Sequence, residues 1–265
     1  MTTATKRHIS YPYVFEEQAV IMTDCDQNRY VRRMRRFSRI EANGSAKALL
    51  MVTDPPEVRG VAFLLHLKPD QPLGAGIYLP AYGDEFKQNN PESGSGRVLG
   101  TDFTAPDFLP TDLAQYWFER NDDIRIGKIW HFVVDAIPKS IKHSGKNPEV
   151  RQRHYIRRDI FFIVQTTYFN QVKRMTRRRT NLALKPVDQK MWVADMVLME
   201  DIAGCHQTLI KVTNRIFSAD YVPPGIFEPE FVIRNRRILL EGERLSRFSW
   251  LNSRGTETPI DSVLP

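Results

Sequence analysis

Long apolar runs are missing from this 265-residue chain, and no stretch reaches the 18 or more residues that a membrane-spanning helix needs. The N-terminus, MTTATKRHISYPYVFEEQ, has a basic pair with no apolar segment of signal-peptide length behind it, so no signal peptide is visible. MTDC ahead of Asp26 lacks the small and leucine residues of a lipidation site, and Cys25 is not expected to carry a lipid. Cysteine is scarce: Cys25 and Cys205 lie far apart without CxxC or Cys/His spacing, which argues against a zinc site or a thioredoxin-like motif. Two separate thiols are the favoured reading; one bridge, which would fit an oxidising compartment, is the alternative. Gly 14 and Pro 17 are a background share, which excludes collagen and global disorder. His8, His66, His131, His143, His154 and His206 are scattered without HxxxH or HExxH spacing, so no metal site is expected. GxSxG, Walker and GxGxxG units are absent, and the GSG of Gly94 to Gly96 has neither a strand before it nor a helix after it. Asp102 and Asp107, in GTDFTAPDF, read as turn formers beside Gly100 and Pro106. Neither a cofactor nor enzymatic activity is expected.

What is present is a folded composition, 42% hydrophobic and 26% charged, with 38 basic against 31 acidic residues. The net charge of +7 biases the chain toward anionic partners. The basic residues cluster in VRRMRRFSR (31–39), VKRMTRRRT (172–180) and RNRR (234–237). Strand alternation puts Arg33, Arg35 and Arg39 on one face and Arg32 and Arg36 on the other, so each cluster splits into two shorter rows. A solvated face is favoured for them, an anionic membrane or acidic partner surface comes next, and nucleic acid is not expected.

From Ala19 to about Ser218, short apolar runs alternate with turn clusters, the pattern of a sheet-rich protein built from hairpins. AVIMT, YVRRMRRFSRI, AKALLMVT, VAFLLHLK and AGIYLPAY predict one meander. IRIGKIWHFVVDAI, HYIRRDIFFIVQTTYF, VKRMTRRRTNLAL, KMWVADMVLME and HQTLIKVTNRIF predict a second. Between them, PDFLPTDLAQYWFE predicts a short amphipathic helix with Thr111 as its N-cap; Tyr13 to Ala19 reads as another helix, and the tail after Phe227 as partly helical. Alternation places Phe63, Leu65 and Leu67 on one side of their strand, and Trp130, Phe132 and Val134 on one side of theirs. Trp192, Met196 and Leu198 form a third row, Ile210, Val212 and Ile216 a fourth. The rows predict one greasy sheet face, with Lys47, Asp195, Lys211, Thr213 and Arg215 on a face turned to water.

The ordered runs PPEVRGVAFLLHL, GIYLPAYGDEFKQ, GRVLGTDFTAPDF, WHFVVDAIPK, YIRRDIFFIVQTTYFNQVKRM, KMWVADMVLMEDIAGCHQTLIKVTNRIF and PPGIFEPEFV resemble the outer-membrane lipoprotein-sorting-like family, relatives of the LolA and LolB carriers. The pieces that carry most are Gly60, Tyr78-Leu79-Pro80 and Gly100-Thr101-Asp102-Phe103; the acidic Ala81 to Glu85 stretch and the extension after Val232 depart from the family pattern. The resemblance implies a mainly β (α+β) fold: an unclosed, strongly curved antiparallel β-barrel with short helices plugging its concave face. It implies three stretches, an N-terminal segment 1–18, a half-barrel domain 19–232 and a C-terminal extension 233–265. It also implies a periplasmic, non-enzymatic carrier for a lipid or acylated protein, working with an RND or MMPL-type transporter or an outer-membrane acceptor. Together with the apolar rows, it assigns the ligand wall to Phe63, Leu65, Leu67, Ile77, Leu79, Phe103, Phe108, Tyr116, Trp117, Trp130, Phe132, Val134, Phe162, Trp192, Met196, Leu198, Ile210 and Val212. The segment Pro106 to Glu119 would be the lid. A protein-binding scaffold without bound lipid is the rival reading.

Overall fold

A computed structural model describes residues 1–8, 10–69, 71–83, 85–88, 96–140, 149–242 and 245. Among the described residues, thirteen strands form one sheet: β1 (Tyr13–Thr23), β2 (Arg29–Ile40), β3 (Ala46–Asp54), β4 (Ala62–Leu67), β5 (Gly74–Tyr78), β6 (Phe86–Gln88), β7 (Tyr116–Ile126), β8 (Ile129–Pro138), β9 (Glu149–Arg157), β10 (Phe162–Asn170), β11 (Met175–Pro186), β12 (Trp192–Asp201) and β13 (His206–Ile216). Their order, β6-β5-β4-β3-β2-β1-β13-β12-β11-β10-β9-β8-β7, is linear, so the sheet is unclosed with β6 and β7 as its edges. The recorded strand pairs are antiparallel. Helices are few and short: α1 (Thr2–Lys6), α2 (Pro229–Arg234), α3 (Arg236–Glu241) and single 3-10 turns. The expected mainly β, unclosed antiparallel architecture holds.

Several local expectations do not. Tyr13 to Ala19 is strand, because β1 places Phe15 in the core and Glu16 on the opposite side, a period of two. The helix expected over 106–119 is a pair of 3-10 turns, Ala105–Phe108 and Leu113–Gln115, followed by β7. Its N-cap is Asp112, not Thr111, with the carboxylate accepting from the Ala114 N–H at 3.0 Å. Tyr116, Trp117 and Phe118 favour strand, and pairing with Pro138, Ile137 and Ala136 of β8 overrides the helical spacing. Two runs each taken as one strand are hairpins, reversed at Gly127 (φ +60°) and at 158–161. The GSG motif falls largely outside the described residues, as do His143 and the tail from 246 onward.

The chain divides into two compact units, Met1–Ser10 with Val20–Tyr30 and Glu92–Lys211, and Tyr11–Ala19 with Val31–Pro91 and Val212–Pro265. β1 runs across 18/19, and Leu239, beyond 232, lies in the core of the second unit.

In the second unit both faces of the sheet are buried at β3 and β4. Ala48, Leu49, Leu50, Met51 and Val52 are consecutive and all enclosed, so the single greasy face expected from alternation is corrected to two. On one face Phe37, Leu49 and Leu64 stand side by side in register, with Met51, Ala62 and Tyr78 in the next row. Val222, Ile226, Phe227, Phe231, Val232 and Leu239, from the segment after β13, pack onto them. Arg35 and Arg39 share that face rather than a solvated one. Arg35 donates to the carbonyls of Leu239 and Leu240 and pairs with Glu17 at 3.0 Å, while Arg39 donates to Val222 O at 3.3 Å. Carbonyls left over at the end of α3 are thereby satisfied. Arg36 and Arg215 close on the buried Glu16 at 3.1 and 2.6 Å; burial works against the Glu16 charge, but the two guanidiniums hold its pKa below the usual carboxylate range.

The first unit holds β7 to β12 and most of β13. Cys25 and Cys205 are joined by a disulfide, Cα–Cα 5.3 Å, which overturns the reading of two separate thiols. Sequence distance concealed it: one cysteine lies in the β1–β2 turn and the other in the β12–β13 turn. Asp24 braces the first turn through the Asp26 and Asn28 N–H groups, and Asp201 braces the second through those of Ala203 and Gly204.

Candidate functional site

Across β8 to β13 of the first unit, register aligns Val134, His154, Thr166, Arg179, Met199 and Thr208 in one row, and Ala136, Gln152, Tyr168, Arg177, Asp201 and His206 in the next. This face is covered by a strap, residues 97–115, with Val98, Phe103, Ala105 and Phe108 buried. The strap makes backbone bonds within itself, among them Val98 N–H to Phe103 O (2.8 Å) and Asp107 N–H to Thr104 O (3.0 Å). One backbone bond, Lys139 N–H to Gln115 O (2.8 Å), holds its end beside β8, and side chains add further ties to the sheet. The Asp102 N–H donates to the Thr208 hydroxyl, which donates to the Asp102 carboxylate at 2.7 Å. Arg177 reaches Asp102 O and the Asp107 carboxylate (3.0 Å), Arg179 donates to Asp107 O, and Arg97 pairs with Asp102 (3.1 Å) and Asp201.

Arg177 also grips Glu149 through two hydrogen bonds of 2.7 and 2.9 Å. Burial opposes its charge, yet the Glu149 hydrogen bonds and the Asp107 and Glu149 charges outweigh it and raise its pKa. Burial likewise opposes ionisation of Asp107, and the Arg177 and Arg179 charges with the Thr104 bonds keep its pKa depressed. Tyr168, donating to Asp107 at 3.1 Å, is pushed up by burial and by that carboxylate. His154, bonded to the Thr166 hydroxyl at 2.9 Å, is pushed down to about 4 by burial, the N-terminal ammonium and Arg179. The covered face is thus an ionic latch bordered by apolar packing. Sequence reading missed the latch, although the alternation of 172–180 already put Arg177 and Arg179 on one face and Arg178 on the other. Asp107 does shape its turn as expected, through Thr104 N–H, and pairs with Arg177 as well.

The residues expected to form one wall fall into separate groups. Phe103 and Phe108 meet at 5.7 Å within the strap. Val134 packs with Ile156 and Ala4 of α1, with Phe132 at the margin, while Phe162 touches the His8 ring at 4.9 Å. Ile210 stands opposite Val197, and therefore on the other face from Met196 and Leu198, whose strand neighbour Trp192 shares their side. Tyr116 accepts from Gln152 at 3.3 Å, while Trp117, 64% exposed, lies under the Lys139 ammonium at 4.6 Å, and Trp130 is 48% exposed. In the second unit, Phe63 pairs with Ile77 and Leu65 with Ala75, on the face turned away from α2 and α3; Leu67, Leu79 and Val212 are half-buried. Phe63, Leu65 and Phe103 are at most 2% accessible, which leaves no water-sized space against them in this state. Among the described residues, no group of three or more His, Cys, Asp or Glu is placed to hold a metal, and no helix is long and apolar enough to cross a membrane.

No curated protein matches the chain. A family model described as "Uncharacterized protein" matches residues 44–234. An outer membrane lipoprotein-sorting protein domain from Vibrio parahaemolyticus superposes with a TM-score of 0.80 at 20% identity, covering 88% of this chain and 96% of that one. A DUF1329 family protein from Desulfovibrio piger gives 0.74 at 16% identity, over 84% and 95% of the two chains. A LolA superfamily protein from Nitrosomonas europaea gives 0.66 at 11% identity, over 86% and 94%. The chain belongs to the family whose model spans residues 44–234, and its fold is that of the outer membrane lipoprotein-sorting, DUF1329 and LolA superfamily structures.

Proposed function

We propose that the protein is a non-enzymatic, extracytoplasmic carrier that takes a lipid, lipoprotein acyl chain or similar apolar ligand beneath the 97–115 strap and passes it to a partner. The observation that carries this reading is the strap itself: an apolar segment fastened to the sheet by side-chain ion pairs and hydrogen bonds, and so able to lift without dismantling the strands. The fold shared with a lipoprotein-sorting domain supports it, and the Cys25–Cys205 bridge supports an oxidising compartment such as the periplasm. Loading opens the latch at Asp107–Arg177 and Asp102–Thr208 and exposes Phe103, Phe108 and Ile210 to the guest. A chain of about sixteen carbons gains on the order of 12 kcal/mol of gross transfer free energy, enough to offset the latch and enough to require a competing acceptor for release. An RND or MMPL-type transporter or an outer-membrane acceptor would fill that role.

The test is native mass spectrometry of protein purified without detergent, followed by titration of the delipidated protein with a fluorescent long-chain fatty acid. A copurified lipid and saturable binding, weakened when Asp102→Cys and Thr208→Cys are oxidised to lock the strap, are expected. Absence of both lipid and saturable binding would overturn the carrier reading. The rival, a protein-binding scaffold, is favoured by one feature, the exposed edge strand β7 with Trp117, Ile124 and Ile126.

A further inference from the structure

The second unit carries an open cavity of about 350 Å³ in which four of the lining side chains are arginines, Arg59, Arg234, Arg236 and Arg237, against one carboxylate, Glu241. We infer that it is a binding site for a phosphoester of the glycerophosphate type, whose short carbon backbone lies against the aliphatic part of the lining. The inference does not rest on the carrier reading.

Three elements build the site. Arg59 follows the 3-10 turn Pro56–Val58 between β3 and β4, Arg234 ends α2, and Arg236 and Arg237 open α3. Arg236 is held in place: it donates to the Tyr78 hydroxyl at 3.1 Å and lies 6.0 Å from the centre of that ring. Its stem runs over Gly60, whose φ of +84° suits glycine and where a Cβ would stand 2.7 Å from Arg236 Cδ. Arg237 pairs with Glu241 at 2.9 Å while remaining 91% exposed. Four guanidiniums around one small cavity repel one another, and a single lining carboxylate offsets only one of them; a bound phosphate removes that repulsion. The planar guanidinium fork matches phosphate oxygens two at a time, which lysines would not do. Ile233 and Leu240 complete the lining and give the cavity an apolar side, which selects a phosphoester carrying carbon over inorganic phosphate. The volume lies at the lower end of the range for small-molecule sites, as a headgroup requires.

The test uses the full chain. Calorimetric titrations with sn-glycerol 3-phosphate and with inorganic phosphate form the soluble arm; flotation with phosphatidylcholine vesicles, with and without phosphatidylglycerol, forms the membrane arm. Arg59→Gln with Arg234→Gln removes two exposed cations from the cavity, and Arg125→Gln with Lys128→Gln makes the same charge change at the β7–β8 hairpin. The cavity pair is expected to weaken binding about tenfold or more, and the hairpin pair less than about twofold. Arg59→Lys with Arg234→Lys, which keeps charge but loses the fork, is expected to fall between, so the test survives if the glutamine variant folds poorly. Hydrogen exchange across residues 229–241 should slow in wild-type protein on adding ligand. Glycerophosphate binding alone supports a soluble phosphoester, and phosphatidylglycerol-dependent flotation supports a membrane headgroup. No binding in either arm, inorganic phosphate binding as tightly as glycerophosphate, or an equal loss in the hairpin variant would overturn the inference.

Discussion

Replacing both Cys25 and Cys205 by serine removes a bridge that spans 180 residues of chain. Closing a loop of that length restricts the unfolded ensemble by about 5 kcal/mol in the chain-entropy model, and measured losses for native bridges run about 2–5 kcal/mol. The folded state should hardly change. Asp24 and Asp201 brace the two turns, and β1 neighbours β13 in the sheet, so the ends of the bridge stay close without it. The expected result is therefore an unaltered circular-dichroism spectrum at room temperature and a melting point lower by about 10 °C, since a chain of this size shifts about 2–4 °C per kcal/mol. Both cysteines lie in the first unit, so if the two units melt in separate steps only the transition of that unit should move. Calorimetry of wild type, wild type with reductant and the double serine variant provides the comparison. Two thiols titrating in the native, unreduced protein, or a melting point unchanged within about 1 °C, would refute the reasoning.

Removing one partner of the buried latch should be costly: Arg177→Ala takes away the cation that Asp107 and Glu149 share, leaving Asp107 its Thr104 and Tyr168 bonds and Glu149 its Thr176 bond, and is expected to lose about 3 kcal/mol in urea unfolding. His154 titrates at about 4 in the folded protein, below the ordinary value of 6.5, so between these pH values the unfolded chain binds more protons. Its contribution is complete above pH about 6.5 and falls by roughly 3 kcal/mol as pH drops to about 4; a His154→Gln variant should lose that slope in denaturant melts across this window. Leu239→Ala opens a cavity where α3 meets the second unit's sheet and should cost about 2–5 kcal/mol in thermal or chemical unfolding.

The hairpin pattern, the scarcity of helix and the absence of nucleotide, metal and nucleophile motifs were legible in the chain, because apolar period and turn residues are local properties. Resemblance along the ordered runs pointed to the fold correctly. Tyr116 to Phe118 misled because helical spacing of aromatics is outweighed by pairing with β8, a partner that local pattern does not specify. Ile210 and Met196 were grouped as parallel rows because each strand alternates regularly, but only the β12–β13 register decides that they point to opposite faces.

The sequence by itself determined most strand positions, the split of the two strand-borne arginine clusters (31–39 and 172–180) into two faces, and the lack of an apolar run long enough to span a membrane as a helix, all set by residue order within one element. Only the tertiary structure decided that Cys25 meets Cys205, that Arg177 is paired with Asp107 and Glu149, that Arg59 joins Arg234, Arg236 and Arg237 around one cavity, and that the segment after β13 completes a core. Each depends on pairing between distant elements. Burial then makes those pairings energetically decisive, since a charge or thiol removed from water is governed by whatever neighbour the sheet register supplies.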